Sequence, residues 1–138
     1  MARPSSRADL MSRFGAVQKN TVWSWCAVNE QERKVFFSVW TDFTYKEDGH
    51  TKYVVQAPDW GVSEGGTLSA ARKDHDEKMS LVFDDGYEAY GYFVKAKNKN
   101  VIPREIEQTY TSFVMKMKLK TLDDGRVIGE LLERIEVR

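Results

Sequence analysis

Flat rings and hydrogen-bonding side chains crowd one short stretch, residues 20 to 43, "NTVWSWCAVNEQERKVFFSVWTDF". It holds Trp23, Trp25 and Trp40, three of the chain's 4 tryptophans, with Phe36, Phe37 and Phe43. Tryptophan joins a large flat face to a polar N–H, so it serves both cores and sites for planar ligands. A nucleobase fits such chemistry, because rings stack on its face while short polar groups read its edge. Trp23, Trp25 and Trp40, with Tyr90 from a later strand, are the candidate stacking residues. Asn20, Ser24 and Asp42 are the candidate edge readers. Lys95, Lys97, Arg104, Lys116 and Lys118 are the candidate phosphate ligands. For any single ring, core filling is the competing use.

Other chemistries lack their residues. Metal sites need clustered His, Cys, Asp and Glu, and there are only 2 histidines. In "DHDEK" the groups Asp74, His75, Asp76 and Glu77 are consecutive on a helix and point around it. His75 falls on the apolar stripe, as a packed, hydrogen-bonded histidine. No nucleophile elbow accompanies a base. "SEGGTLS" has glycines near a helix start but no phosphate-loop lysine, leaving at most one phosphate at the helix N-terminus. Cys26, the single cysteine, sits in an apolar strand, where a thiol is inert. No metal, cofactor or catalytic residue is assigned.

Charge narrows the partners. The chain has 21 basic and 21 acidic residues, so bulk attraction to nucleic acid is excluded as the main driving force. Residues 95–120 hold seven basic side chains against Glu105 and Glu107, a local excess suited to phosphates or simply a solvated strand face. No apolar run reaches membrane-spanning length. "MARPSSRADLMSRFG" has no apolar core behind its arginines and is not a secretory signal. A cytoplasmic protein is expected, with residues 1–13 as a flexible tail and 14–138 as a single domain.

The elements that must position these residues follow from periodicity. "TVWSWCAV" alternates as a strand, and "VFFSVWTDF" follows as its hairpin partner, Phe36, Ser38 and Trp40 on one face and Val35, Phe37 and Val39 on the other. Both faces are apolar, so the pair should be central. "YKEDGHTK" reads as a turn, "YVVQA" as a short strand and "PDWGVSEGG" as a loop whose Trp60 must pack or bind something. Leu68, Ala71, His75, Met79, Val82 and Phe83 predict a helix over about 68–84, capped by Thr67 or Ser69 and ended at "DDG". "YEAYGYFVKAK" is a strand in which Gly91 permits a bulge or a close approach. Residues 98–110 connect it to a closing hairpin that begins at "TSFVMKMKLK". The order β-β-β-α-β-β-β implies an α+β fold: a mostly antiparallel, curled sheet or small, partly open barrel of about six strands with one main helix.

The series "RFG…NTVWSWCAV", "VFFSVWTDF", a helix, "YEAYGYFVKAKNKNVIPREI" and a hairpin resembles a group of small bacterial and prophage proteins. They share an N-T-x-W-S-W-x-A opening, a V-F-x-x-V-W-x-D second strand and a PR-x-I step; the similarity spans residues 13–137. Cys26 stands where that opening often has glycine. Similar segments stand beside HNH nuclease domains, a motif this chain lacks. The layout is also similar to the PUA-like superfamily, with its modified-base readers of the SRA, EVE and YTH kinds. That resemblance implies a barrel holding one extruded base in an aromatic pocket.

Three readings follow, in order. The first is a non-catalytic module for DNA or RNA, with an affinity that falls steeply with salt. The second is a protein–protein interaction module of phage or prophage type, using the loop Trp60 as a hot spot. The third is a metal-dependent nuclease built on scattered acids that include Asp42.

Overall fold

The computed structural model describes residues 6–20, 24–100 and 104–137. The elements are α1 (Arg7–Arg13), β1 (Cys26–Asn29), β2 (Lys34–Trp40), a 3-10 turn (Thr41–Phe43), β3 (Thr44–Glu47), β4 (His50–Gln56), α2 (Ala70–Asp85), β5 (Glu88–Ala96), β6 (Ile106–Thr109), β7 (Phe113–Thr121) and β8 (Val127–Glu136). The class is α+β, and eight described strands form one mixed, largely antiparallel sheet in the order β1-β2-β5-β7-β8-β4-β3, with β6 on the end of β5. β4 comes close to β2 without being its neighbour in the sheet, so the sheet is curled.

One pairing departs from the expected antiparallel pattern. β2 and β5 run parallel over seven residues, from Lys34 beside Glu88 to Trp40 beside Val94. Parallel neighbours need a long crossover. Here residues 41–87 supply it, through β3, β4, the following loop and α2.

Alternation along β2 splits the core into two layers. Val35, Phe37 and Val39 join Cys26, Val55, Met79, Met115 and Met117 on the α2 side. Phe36 joins Leu10, Met11, Tyr92, Val94 and Val114 on the α1 side. Each fully buried Leu or Phe side chain contributes roughly 1.5–3 kcal/mol relative to water. Of the pair expected to be central, β2 is interior and covered on both faces, whereas β1 ends the strand order because, of the described strands, only β2 pairs with it.

The flexible tail expected for residues 1–13 is, over its described part, a helix. Ser6 caps α1 by accepting from the Asp9 N–H at 3.1 Å, and Leu10 and Met11 are buried. Arg7 lies by the Tyr92 hydroxyl, whose pKa burial pushes up to about 12 while the arginine pulls it down. A seven-residue helix with two buried apolar residues is too short a period to stand out in sequence.

Three other boundaries move. "YKEDGHTK" holds a turn, but its flanks pair as β3 and β4. Asp48 and Gly49, both at positive φ (53° and 79°), form the two-residue connection between Glu47 and His50, as hairpins of this length prefer. The first expected strand shortens to Cys26–Asn29; residues 21–23 lie outside the described residues. In α2 the buried face runs through Ala71, Asp74, His75 and Met79. Phe83, expected on the apolar stripe, is 45% exposed, because the face nearest the sheet turns through Asp74 instead.

Gly91 is used for close approach. Met117 of β7 spreads over Gly91 on one side and Gly129 of β8 on the other; a Cβ at Gly129 would stand 2.6 Å from its sulfur. Gly129→Ala should therefore force Met117 off its rotamer and cost about 1–3 kcal/mol, read as a lower urea midpoint with an unchanged slope. An unchanged midpoint would show that the thioether has room to move.

Candidate functional site

Rings from several separate segments lie toward one end of the sheet. Trp25 precedes β1, and its carbonyl accepts from the Ser38 N–H at 3.3 Å and the Ser38 hydroxyl at 3.1 Å. Its ring meets His75 edge-on at 5.4 Å. Trp40 ends β2, and the 3-10 turn after it carries Asp42 and Phe43. Phe43 faces Trp60 of the 57–61 loop at 5.6 Å. Gly61 closes the circuit: a Cβ there would stand 2.9 Å from the Trp25 ring and 2.8 Å from Arg72 and Ser69. With φ at +68°, the position favours glycine twice over.

Arg104 sits among these rings. Its guanidinium lies 4.4 Å from the Phe43 centroid and 5.1 Å from that of Trp40. It grips Asp42 with two hydrogen bonds, 2.8 and 2.7 Å. Bidentate pairing of this kind is strong and directional. Those bonds from Arg104 hold the Asp42 carboxyl below its ordinary pKa. Trp25, Trp40, Asp42, Phe43, Trp60 and Arg104 are all partly buried, whereas the core rings Phe36, Phe37 and Tyr92 are fully buried. Trp40 also packs against the α1-side core, whereas Trp25, Phe43 and Trp60 belong to neither core layer.

The remaining candidates lie elsewhere. Asn20 and Ser24 bond to each other: the Asn20 N–H donates to the Ser24 hydroxyl, and the Ser24 N–H to the Asn20 carbonyl, both at 2.9 Å. Ser24 is buried and holds the chain in place instead of reading an edge. Trp23 lies outside the described residues. Tyr90 is buried and stacked on Phe36 at 5.1 Å in the α1-side core; burial raises its pKa.

Four of the five candidate phosphate ligands face carboxylates. Lys95 is 3.5 Å from Glu107, Lys97 is 3.8 Å from Glu105 and Lys116 is 2.7 Å from Glu88, besides Arg104 on Asp42. Lys118 is exposed on β7 across from Glu130. Two acids from outside the stretch, Asp42 and Glu88, thus offset part of the local basic excess. A phosphate drawn to Lys95 or Lys116 would also meet Glu107 or Glu88.

A polar chain, buried at Gln56 and His75 and partly exposed at Asp76 and Arg72, backs the rings. Gln56 Nε2 donates to Asp76 at 3.0 Å, so its Oε1 must accept from His75 Nδ1. That fixes the neutral imidazole with its hydrogen on Nδ1. Asp76 also accepts from Arg72 Nε at 3.0 and 3.1 Å. Arg72 Nη1 donates to the carbonyls of Pro58 at 3.0 Å and Trp60 at 2.7 Å. Alongside, Asp74 lies 3.1 Å from Lys78 and 3.8 Å from Cys26; burial first, then Asp74, pushes the Cys26 thiol far up, so it is no nucleophile.

Sequence reasoning named Trp25 and Trp40 as stacking residues, Asp42 as an edge reader and Arg104 as a phosphate ligand, without the pairing of the last two. It left out Phe43 and the Arg72 chain, and it flagged Trp60 only as a loop residue. Among the described residues no three His, Cys, Asp or Glu side chains gather to hold a metal. No described helix is long and apolar enough to cross a membrane. No protein-family model, curated protein or solved structure matches the chain.

Burial lowers the His75 pKa to about 4, against a smaller pull upward from Asp76 and a push downward from Arg72. Unfolded, the group titrates near 6.5. Between those values the unfolded chain takes up a proton that the folded one refuses, so stability present at neutral pH is lost as pH falls from about 6.5 toward 4. The loss is on the order of 3 kcal/mol. Unfolding free energies from urea titrations at pH 7 and pH 5 should show about 2 kcal/mol of that loss, and His75→Gln should flatten the slope. An equal slope in that variant would place the effect elsewhere.

Proposed function

We propose that the protein is a non-catalytic nucleic-acid-binding module that stacks an unpaired or extruded base against Trp25, Trp40, Phe43 and Trp60. One observation carries this reading: the partly exposed rings of Trp40 and Phe43 flank the Asp42–Arg104 pair, Trp60 faces Phe43, and Trp25 borders the same 57–61 loop at Gly61. Stacking on such faces is worth about 1–3 kcal/mol per base and tolerates any base. Asp42 and Arg104 offer an acceptor and donors at the rim, enough to favour one edge over another. The curled sheet, with β4 near β2 but not bonded to it, supports a partly open barrel of PUA-like layout. The Asp42 oxygens are both engaged by Arg104, which favours a binding role over metal-dependent cleavage. A cytoplasmic DNA or RNA is the partner class.

The paired lysines alter one expectation. With Lys95, Lys97, Lys116 and Arg104 already facing carboxylates, few counterions are released on binding, so affinity should depend shallowly on salt.

The same pairing favours a second reading, a protein partner that buries the rings as hot spots. One titration separates the two. Tryptophan fluorescence of the purified protein should quench saturably with single-stranded oligonucleotides, some carrying 5-methyl- or 5-hydroxymethylcytosine. Duplex of the same sequence should bind less well, and a log–log salt slope should stay at about −2 or shallower. Trp60→Ala should weaken binding roughly tenfold, one stack's worth, while Lys118→Ala changes little. No quenching by any oligonucleotide would remove the nucleic-acid reading and leave the protein-partner one.

A further inference from the structure

We propose that Arg72 is the positioning residue of this aromatic surface, holding the loop that carries Trp60 in place beside Trp25 through a continuous polar chain. The inference rests on the reading of the rings as a binding surface, but it concerns how their spacing is set.

The loop that carries Trp60 has a backbone problem. It begins Ala57-Pro58-Asp59-Trp60-Gly61 and turns sharply, Trp60 N–H donating to the Ala57 carbonyl at 3.1 Å and Val62 N–H to the Asp59 carbonyl at 3.3 Å. The Pro58 and Trp60 carbonyls then point at α2, where Arg72 meets both with Nη1. Carbonyl groups partly withdrawn from water need such partners. The Arg72 stem lies against Gly61, leaving no space for a Cβ there. A lysine at 72 could reach one carbonyl as a point charge but lacks the planar fork that bonds Asp76 and the loop together.

The other end of the chain reaches the other tryptophan. Arg72 Nε bonds Asp76, Asp76 accepts from Gln56 of β4, and Gln56 accepts from His75, whose ring meets Trp25 and Phe37. The links run from the Trp60 backbone to the Trp25 ring through two elements, β4 and α2. Such a chain leaves no slack, because each member has its hydrogen-bonding groups committed to the next. The gap between Trp60 and Trp25 is therefore fixed by side chains that no ligand needs to touch.

Fluorine NMR of protein labelled with 5-fluorotryptophan tests this, with resonances assigned by Trp→Phe variants. In Arg72→Lys the Trp60 and Trp25 resonances should shift or broaden while the Trp40 resonance stays, and the affinity for a single-stranded oligothymidylate should fall about tenfold. Gly61→Ala, which attacks the same junction by another route, should move the same two resonances. A Trp60 resonance unchanged in Arg72→Lys would overturn the proposal. So would a uniform change of every resonance together with a large drop in thermal midpoint, since that is general destabilisation. If the parent protein binds no oligonucleotide, the nucleic-acid reading fails, while the fluorine spectra still decide the role of Arg72.

Discussion

The parallel pairing of β2 with β5 is the constraint on which the rest of the molecule depends. Two strands in the same direction cannot be joined by a tight turn, so the chain must leave the end of β2 and come back to the start of β5. The excursion puts α2 over one face of the sheet. It also carries residues 57–61 back to the end where Trp40 leaves β2. The aromatic surface is a by-product of that route: Phe43 stands at its departure, Trp60 at mid-course, and Trp25 beside the strand that β2 pairs with on its other edge. β1 binds β2 through Cys26 opposite Phe37, so Trp25 falls opposite Ser38 and receives both of its hydrogen bonds.

Polar groups tie the excursion down alongside the apolar Ala71 and Met79. α2 meets the sheet with Asp74 and His75, side chains that cost free energy to bury unless partnered. His75 is satisfied by Gln56 and Asp74 is neutralised by Lys78. Burial of a carboxylate beside a thiol adds little stability by itself. It does restrict the helix to one rotation about its axis, since any other setting would strand one of these groups. Leu and Met in their places would permit several settings of comparable energy. The helix that must support a loop of defined shape is thus held by groups that tolerate only one geometry.

Local pattern made much of this visible in the sequence, and long-range pairing explains most of what was hidden. Alternation in Val35–Trp40 revealed a strand covered on both sides, because each face has its own run of apolar residues. Ser69 and Gly86 bounded α2 through ordinary cap chemistry. The β2–β5 direction was not legible, since period two is the same for parallel and antiparallel neighbours. β3 was hidden by its polar residues, Thr44 to Glu47, which lie at the sheet edge where burial leaves no periodic mark. At the site, Asp42 and Arg104 are 62 residues apart, and nothing in local spacing announces that one will saturate the other. Arg72 was hidden for a related reason: on a helix surface it looks like any solvated charge, and its task appears only once the 57–61 loop is laid across it.

That pairing of charges bears on what the surface can recognise. A site for a phosphate backbone gains from unpaired cations, and its affinity comes largely from released counterions. Here Lys95, Lys97 and Lys116 each face an acid, and the guanidinium nearest the rings is already committed to Asp42. What the surface retains is area: flat faces that water solvates poorly and that a planar group covers well. Binding energy would then come from desolvating rings, and selectivity from whether the ligand's edge can share the Asp42–Arg104 pair without breaking it. An edge that offers a donor beside an acceptor meets that condition. A bare phosphate would have to displace Asp42 and would leave the carboxylate partly buried without its cation, a cost that sets it against the flat ligand.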